Sequence, residues 1–123
     1  MRVTCKLPLE SDDGRRENVS LYSVAEISIG SHSCVSQESY LCAGTHDYRD
    51  VTFAFVSTPI KIGEECWIAA RSFIGPGVEV GDAAVVGAGS VVTTSVDAET
   101  IVAGNPAKFV GKRARETLTV RSL

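Results

Sequence analysis

Apolar residues recur every six positions through the second half of the chain, at Ile62, Ile68, Ile74, Val80, Val86 and Val92. Four positions after each comes a small or β-branched residue: Cys66, Ser72, Val78, Ala84, Ser90 and Val96. An upstream block keeps the rule, with Ile29, Val35 and Leu41 opening hexads and Ser33, Ser39 and Thr45 at the small position. A period of six suits neither a helix at about 3.6 nor a flat strand at about 2. It predicts an all-β triangular solenoid, with one hexad forming one short parallel strand on each side. The aliphatic points inward and stacks on its counterpart one coil away, about 4.8 Å along the axis. The small position fits a crowded corner. Glycine follows the aliphatic at Gly63, Gly75, Gly81 and Gly87, and is expected to supply the unusual backbone angles of the corner. A β-sandwich with glycine turns is the alternative, but its turns do not recur at a fixed spacing of six.

The pattern divides the chain. Residues 1–18 are off-pattern, with a polar stretch from Glu10 to Glu17. Residues 19–106 carry the solenoid, interrupted by a loop at 47–59. Leu41 and Ile62 lie 21 residues apart, not a multiple of six, so the register resets there. Tyr48, Phe53 and Phe55 give the loop apolar content, so it is expected to pack on something, a neighbouring subunit being one option. Residues 107–123 form a C-terminal tail with Lys108, Lys112, Arg113, Arg115 and Arg121, expected as a short helix or tail that caps the last coil. A short solenoid leaves both ends open, which predicts self-association.

Composition narrows the chemistry. The 123 residues carry a formal charge of -3, which gives no basic footprint for nucleic acid. No apolar run approaches the roughly 18 residues of a membrane span. Met1 to Lys6 lacks the apolar core of a signal peptide, so a cytoplasmic location is expected. Cys5, Cys34, Cys42 and Cys66 form no C-x-x-C pair, and no metal site is expected. Cys66, at a small inward position, reads as a small hydrophobe. His32 reads as a solvated corner residue. His46 ends a hexad just before the loop, where it is either a surface residue in a turn or a base, since imidazole titrates near neutral pH.

Four segments carry a resemblance: Leu41-Cys42-Ala43-Gly44-Thr45-His46-Asp47-Tyr48, Cys66-Trp67-Ile68-Ala69-Ala70, Val86-Gly87-Ala88-Gly89-Ser90-Val91-Val92-Thr93 and Val102-Ala103-Gly104-Asn105-Pro106-Ala107-Lys108. In that order they resemble the hexapeptide-repeat acyltransferases, in the branch that includes the colanic acid, maltose and galactoside O-acetyltransferases. The resemblance implies a left-handed parallel β-helix and transfer of an acetyl group from acetyl-CoA, a cosubstrate, to a hydroxyl of a saccharide or similar small acceptor. It implies His46 as general base, and a homotrimer with active sites between subunits. Trp67, Ala70, Ala88, Thr93, Pro106, Lys108 and Arg113 match positions along the CoA arm, while Tyr22, Ser23 and Trp67 match positions near the acceptor. Trp67 could equally pack on an outer face, Ala88 satisfies the coil rule regardless, and Lys108 could be merely solvated. The chain departs from the family pattern at Ser23, where relatives carry Asn, at Ala70, where they carry Ser, and at Thr94, where Lys is common. It also starts close to its first coil. A catalytically inactive, shortened β-helix scaffold that self-associates is therefore the alternative. A zinc enzyme of the γ-carbonic anhydrase kind would need three histidines, and this chain has two.

Overall fold

The computed structural model describes the backbone of residues 2–3 and the whole of residues 18–114. Expectations for residues 4–17, and for Arg115 and Arg121, lie outside the described residues. The inward aliphatics build three parallel sheets, here faces A, B and C. Face A holds β3 (Ile27–Ile29), β8 (Ile60–Ile62) and β11 (Glu79–Val80), preceded by β1 (Arg2–Val3) and continued by a bridge at Val96. Face B holds β4 (Cys34–Val35), β9 (Trp67–Ile68), β12 (Val85–Val86), β14 (Thr100–Gly104) and β15 (Ala107–Lys112). Face C holds β2 (Ser20–Tyr22), β5 (Tyr40–Cys42), β10 (Phe73–Ile74) and β13 (Val91–Val92). The chain visits the faces in rotation, so the molecule is a three-sided parallel β-helix. One excursion, a hairpin of β6 (Gly44–His46) and β7 (Phe55–Ser57), leaves the corner between faces C and A.

The core is the stack of aliphatics. Ile29, Ile62 and Val80 align on face A, Val35, Ile68 and Val86 on face B, and Leu41, Ile74 and Val92 on face C. All nine are buried. Full burial of each such side chain contributes about 1.5–3 kcal/mol. The small positions are buried as well, and their serines link coils. Ser33 Oγ donates to the Gly63 carbonyl at 2.6 Å and accepts from the Cys66 amide at 2.9 Å. Ser72 Oγ donates toward the carbonyls of Ala69 and Gly87. Hydroxyls at these positions thus satisfy corner backbone that would otherwise lie buried without partners. Cys66, 2% exposed, sits there as expected, its thiol pushed up by burial.

Four details differ from the sequence reading. The left-handed backbone angle falls on the third residue after the aliphatic, at Glu65, Arg71, Gly77, Ala83 and Gly89, not on the glycine beside it. At Gly30 and Gly81 it is the neighbouring coil that requires glycine beside the aliphatic: a Cβ at Gly30 would lie 2.5 Å from the Gly63 carbonyl oxygen, and one at Gly81 would strike the Ala98 backbone nitrogen, whereas one at Gly75 would make only ordinary contact. Val96 does not take a small position. It bridges to Val80, with Glu99 left-handed three residues on and Thr100 buried four residues on, because the corner after Val92 is shortened. Thr45 is exposed, since the chain has already left the coil at Ala43 for the hairpin. The fourth concerns the C-terminus: Ala107–Lys112 is neither a helix nor a free tail but β15, antiparallel to β14. Gly104, at φ 107°, turns the chain back, and the outer edge of β14 supplies pairing groups that a helix would leave open.

Candidate functional site

The hairpin carries the first group of candidate residues. Gly44, Thr45 and His46 pair with Ser57, Val56 and Phe55, and the Asp47 amide donates to the Ala54 carbonyl. At the tip, Asp50 accepts from the Thr52 hydroxyl at 2.6 Å and from the Thr52 amide at 3.3 Å, and these bonds hold its carboxyl below the usual range. Phe53 follows at φ 53°, a left-handed conformation that costs a non-glycine residue about 1–3 kcal/mol. Two features of Phe53 converge on His46. The imidazole lies flat on the Phe53 ring, with centroids 4.1 Å and planes 10° apart, while Phe55 meets it edge-on at 5.4 Å. His46 Nδ1 also lies 3.0 Å from the Phe53 carbonyl oxygen. A carbonyl can only accept, so this bond puts the proton on Nδ1 and leaves the Nε2 lone pair free. The side chain is exposed, and its ring is fixed in plane and in tautomer. Such a group can take a proton from a hydroxyl presented to Nε2.

The hairpin base is tight. A Cβ at Gly44 would lie 2.7 Å from Val24, 2.8 Å from the Phe55 ring and 3.1 Å from the Tyr22 ring. Tyr22, at the end of β2, therefore stands beside the hairpin with the exposed Ser23 next to it. The structure brings His46, Tyr22 and Ser23 to one corner.

A second group lies on face B and its corner with face C. Trp67 points outward, 48% exposed, between Cys34 and Val85, and its Nε1 donates to Ser36 Oγ at 2.9 Å. Ala70 and Ala88 line an open groove of about 420 Å³ with Gln37, Glu38, Arg71 and Gly89. Pro106 lies in the β14–β15 turn, with Lys108 opposite Ala103 in β15, and the Gly104 amide ties the turn to this corner through Ser90 Oγ at 3.2 Å. Two candidates stand apart from the groove. Thr93 is exposed at the corner between faces C and A, the hairpin's own corner, two coils further along the axis. Arg113 is at the corner between faces A and B, where its Nη1 donates to the carbonyls of Glu65 at 2.6 Å and Ala83 at 3.1 Å. Face C separates the His46 corner from the groove within one copy of the chain.

Sequence reasoning did not single out Phe53 as a partner of His46, nor Ser36, Arg71 and Glu38. The last two had a legible signal, because they fill the same slot of the hexad as Gly89. Phe53 did not, because its pairing with His46 depends on the shape of the hairpin tip. Among the described residues no three His, Cys, Asp or Glu side chains converge as a metal-ligand set, and no helix is long and apolar enough to cross a membrane.

Known proteins carry the same architecture. The bacterial transferase hexapeptide (six repeats) family matches residues 59–94. A putative colanic acid biosynthesis acetyltransferase of Escherichia coli K12 is 48% identical over 97 residues, 79% of this chain and 53% of that protein. The chain spans about half the length of the curated relatives it matches, as also for a putative acetyltransferase of Schizosaccharomyces pombe, 35% identical, of which it covers 49%. Among solved structures, a hexapeptide-repeat acetyltransferase of Vibrio cholerae complexed with acetyl-coenzyme A superposes with a TM-score of 0.73 at 28% identity, over 93% of this chain and 70% of that one. A maltose O-acetyltransferase of Clostridium difficile 630 gives 0.72 at 26% identity, over 93% and 68%. In its repeat, its three-sided helix and these matches, the chain is similar to the hexapeptide-repeat transferases.

Proposed function

We propose that this chain is an O-acetyltransferase that moves the acetyl group of acetyl-CoA to a hydroxyl of a saccharide or similar small acceptor, with His46 as general base. The observation that carries the reading is the His46 Nδ1 bond to the Phe53 carbonyl, which leaves Nε2 as an oriented proton acceptor. Nε2 takes the acceptor hydroxyl proton as that oxygen bonds to the thioester carbonyl carbon. The imidazolium then returns the proton to the sulfur as the carbon–sulfur bond breaks. A positioned base of this kind contributes about 10²–10⁴-fold in rate.

The groove beside Trp67 fits an extended thioester arm. Its floor is Ala70, Ala88 and Gly89, and a Cβ at Gly89 would meet nothing within 4 Å. Small side chains let a ligand approach the backbone closely. Pro106 and Lys108 extend this donor group, with the Lys108 ammonium suited to phosphate. Tyr22 and Ser23, beside the hairpin, make the acceptor group. Arg113 is left out of the donor group because it stands at the third corner, while Thr93, at the hairpin's corner, would meet the groove only from a neighbouring copy.

The site we propose is shared. Base and groove occupy different corners of one prism, so a three-fold assembly of left-handed helices would set one copy's hairpin against its neighbour's groove. A saccharide acceptor draws support from relatives whose names include galactoside, maltose and colanic acid acetyltransferases. We place the enzyme in the cytoplasm, where acetyl-CoA is made and used. The test is release of CoA thiol by purified protein across a panel of saccharides, alongside calorimetric titration with acetyl-CoA. Turnover that disappears in His46→Ala, with donor affinity kept, supports the assignment. Absence of both binding and turnover would favour the scaffold reading.

A further inference from the structure

The corner that carries the groove has an unusual column of side chains. Its left-handed positions, coil by coil, are Glu38, Arg71, Gly89 and Gly104. The corner between faces A and B instead reads His32, Glu65, Ala83 and Glu99, with no arginine or lysine in the slot, and Arg113 reaches this corner from beyond β15. Only at the groove does an arginine take this slot, immediately next to Gly89, which leaves the surface open. Arg71 is 74% exposed, and Nε donates to Glu38 Oε1 at 3.0 Å. That is its only side-chain hydrogen bond among the described residues, so Nη1 and Nη2 remain available. Glu38 keeps almost half its side chain in water, and an exposed pair of this kind is weakly held, worth about 0–1 kcal/mol in general. Arg71 is thus a guanidinium at the rim of a small-residue groove, lightly tethered by a carboxylate that a stronger anion can replace. A guanidinium recognises phosphate through paired donors, which Lys cannot reproduce.

We propose that Arg71 is the anion anchor of this groove: it leaves Glu38 to bind a phosphate group of the thioester donor. This rests on the acetyltransferase reading and adds to it. Glu38 then has a role of its own, since it neutralises Arg71 when no donor is bound and disfavours smaller, less charged anions. Arg71 lies two coils from the β14–β15 pair that carries Lys108, so the two cations would hold separate parts of one extended ligand.

Trp67 is the chain's one tryptophan and adjoins the groove, so its fluorescence reports occupancy without turnover. CoA, 3'-dephospho-CoA and pantetheine would be titrated against the wild type, Arg71→Gln, Arg71→Lys and Glu38→Gln. Arg71→Gln should weaken CoA about tenfold, the loss of one charge-assisted contact, and should shift pantetheine, which has no phosphate, much less. Arg71→Lys should recover only part of the loss, and Glu38→Gln should tighten CoA. Whether the Arg71→Gln penalty persists with 3'-dephospho-CoA distinguishes the diphosphate from the 3'-phosphate, and either result supports the anchor. Equal weakening of CoA and pantetheine would assign Arg71 a shape role and overturn the inference, as would unchanged CoA affinity. A wild type whose Trp67 signal ignores CoA would overturn the function reading together with it.

Discussion

Ile62 pairs with Val80 eighteen residues later, whereas Ile29 pairs with Ile62 across thirty-three; the hairpin accounts for the difference. The two stretches use their residues differently. In the coils, apolar side chains face inward, corners repeat one backbone angle, and buried serines tie one coil to the next. In the hairpin, Phe53, Phe55, Val56 and Tyr48 are exposed, and Phe53 adopts a strained angle. The strain is held by what surrounds it: the Phe53 amide donates to Asp50, its carbonyl accepts from His46, and its ring covers the imidazole. The comparison teaches that the repeat fixes where the corner is, while the break in the repeat supplies the imidazole we propose as the base. A rigid scaffold with a functional excursion is a common division of labour.

The division is breakable in both directions. His46→Ala should lower kcat by about 10²–10⁴-fold with only a small drop in melting temperature, because its contacts to Phe53 are exposed and lie outside the core. A matching loss of stability would mean that the ring clamp is structural. Ile68→Ala, in the coil, should cost about 2–5 kcal/mol by denaturant titration, since Ile68 is fully buried between Val35 and Val86. Any folded fraction should keep its specific activity. Phe53→Ala removes the stacked ring but keeps the carbonyl, so kcat should fall about tenfold with little change in the KM for acetyl-CoA. An equal rise in KM would place Phe53 against the donor instead. The smallest effect concerns Asp50. Its folded carboxyl titrates below the ordinary value, so its support of the tip is present above that value and is lost as pH falls through the folded pKa. Amide exchange at Thr52 and Phe53 should quicken over that acid range in the wild type and show no such step in Asp50→Asn.

The coil was legible in the sequence because one short rule, an aliphatic and a small residue per hexad, determines both the strand and its inward face. Inward residues from Ile62 to Val92 lie where that rule puts them. Val96 was misread because shortening one corner shifts the rule without changing residue type. The glycines were seen but given the wrong reason, since a clash with the next coil is invisible along a single hexad. The fate of Ala107–Lys112 was hidden because pairing with β14 is a tertiary choice. Within the candidate site, His46, Trp67, Ala70 and Ala88 stood out through flanking motifs. The His46 tautomer did not, because it is set by a carbonyl seven residues away whose direction follows from a loop conformation. Nor could sequence reveal that the base and the groove sit at different corners.

That separation carries the central claim, that one copy's hairpin and its neighbour's groove make one site. The direct test is complementation. His46→Ala and Ala88→Trp, a base-less chain and a groove-blocked chain, are each expected to be inactive alone. Coexpressed with different tags and purified as mixed assemblies, they should recover roughly a third of wild-type activity, since every mixed three-fold ring pairs an intact hairpin with an intact groove at one of its three interfaces. Mixed assemblies that stay as inactive as either parent would contradict the shared site.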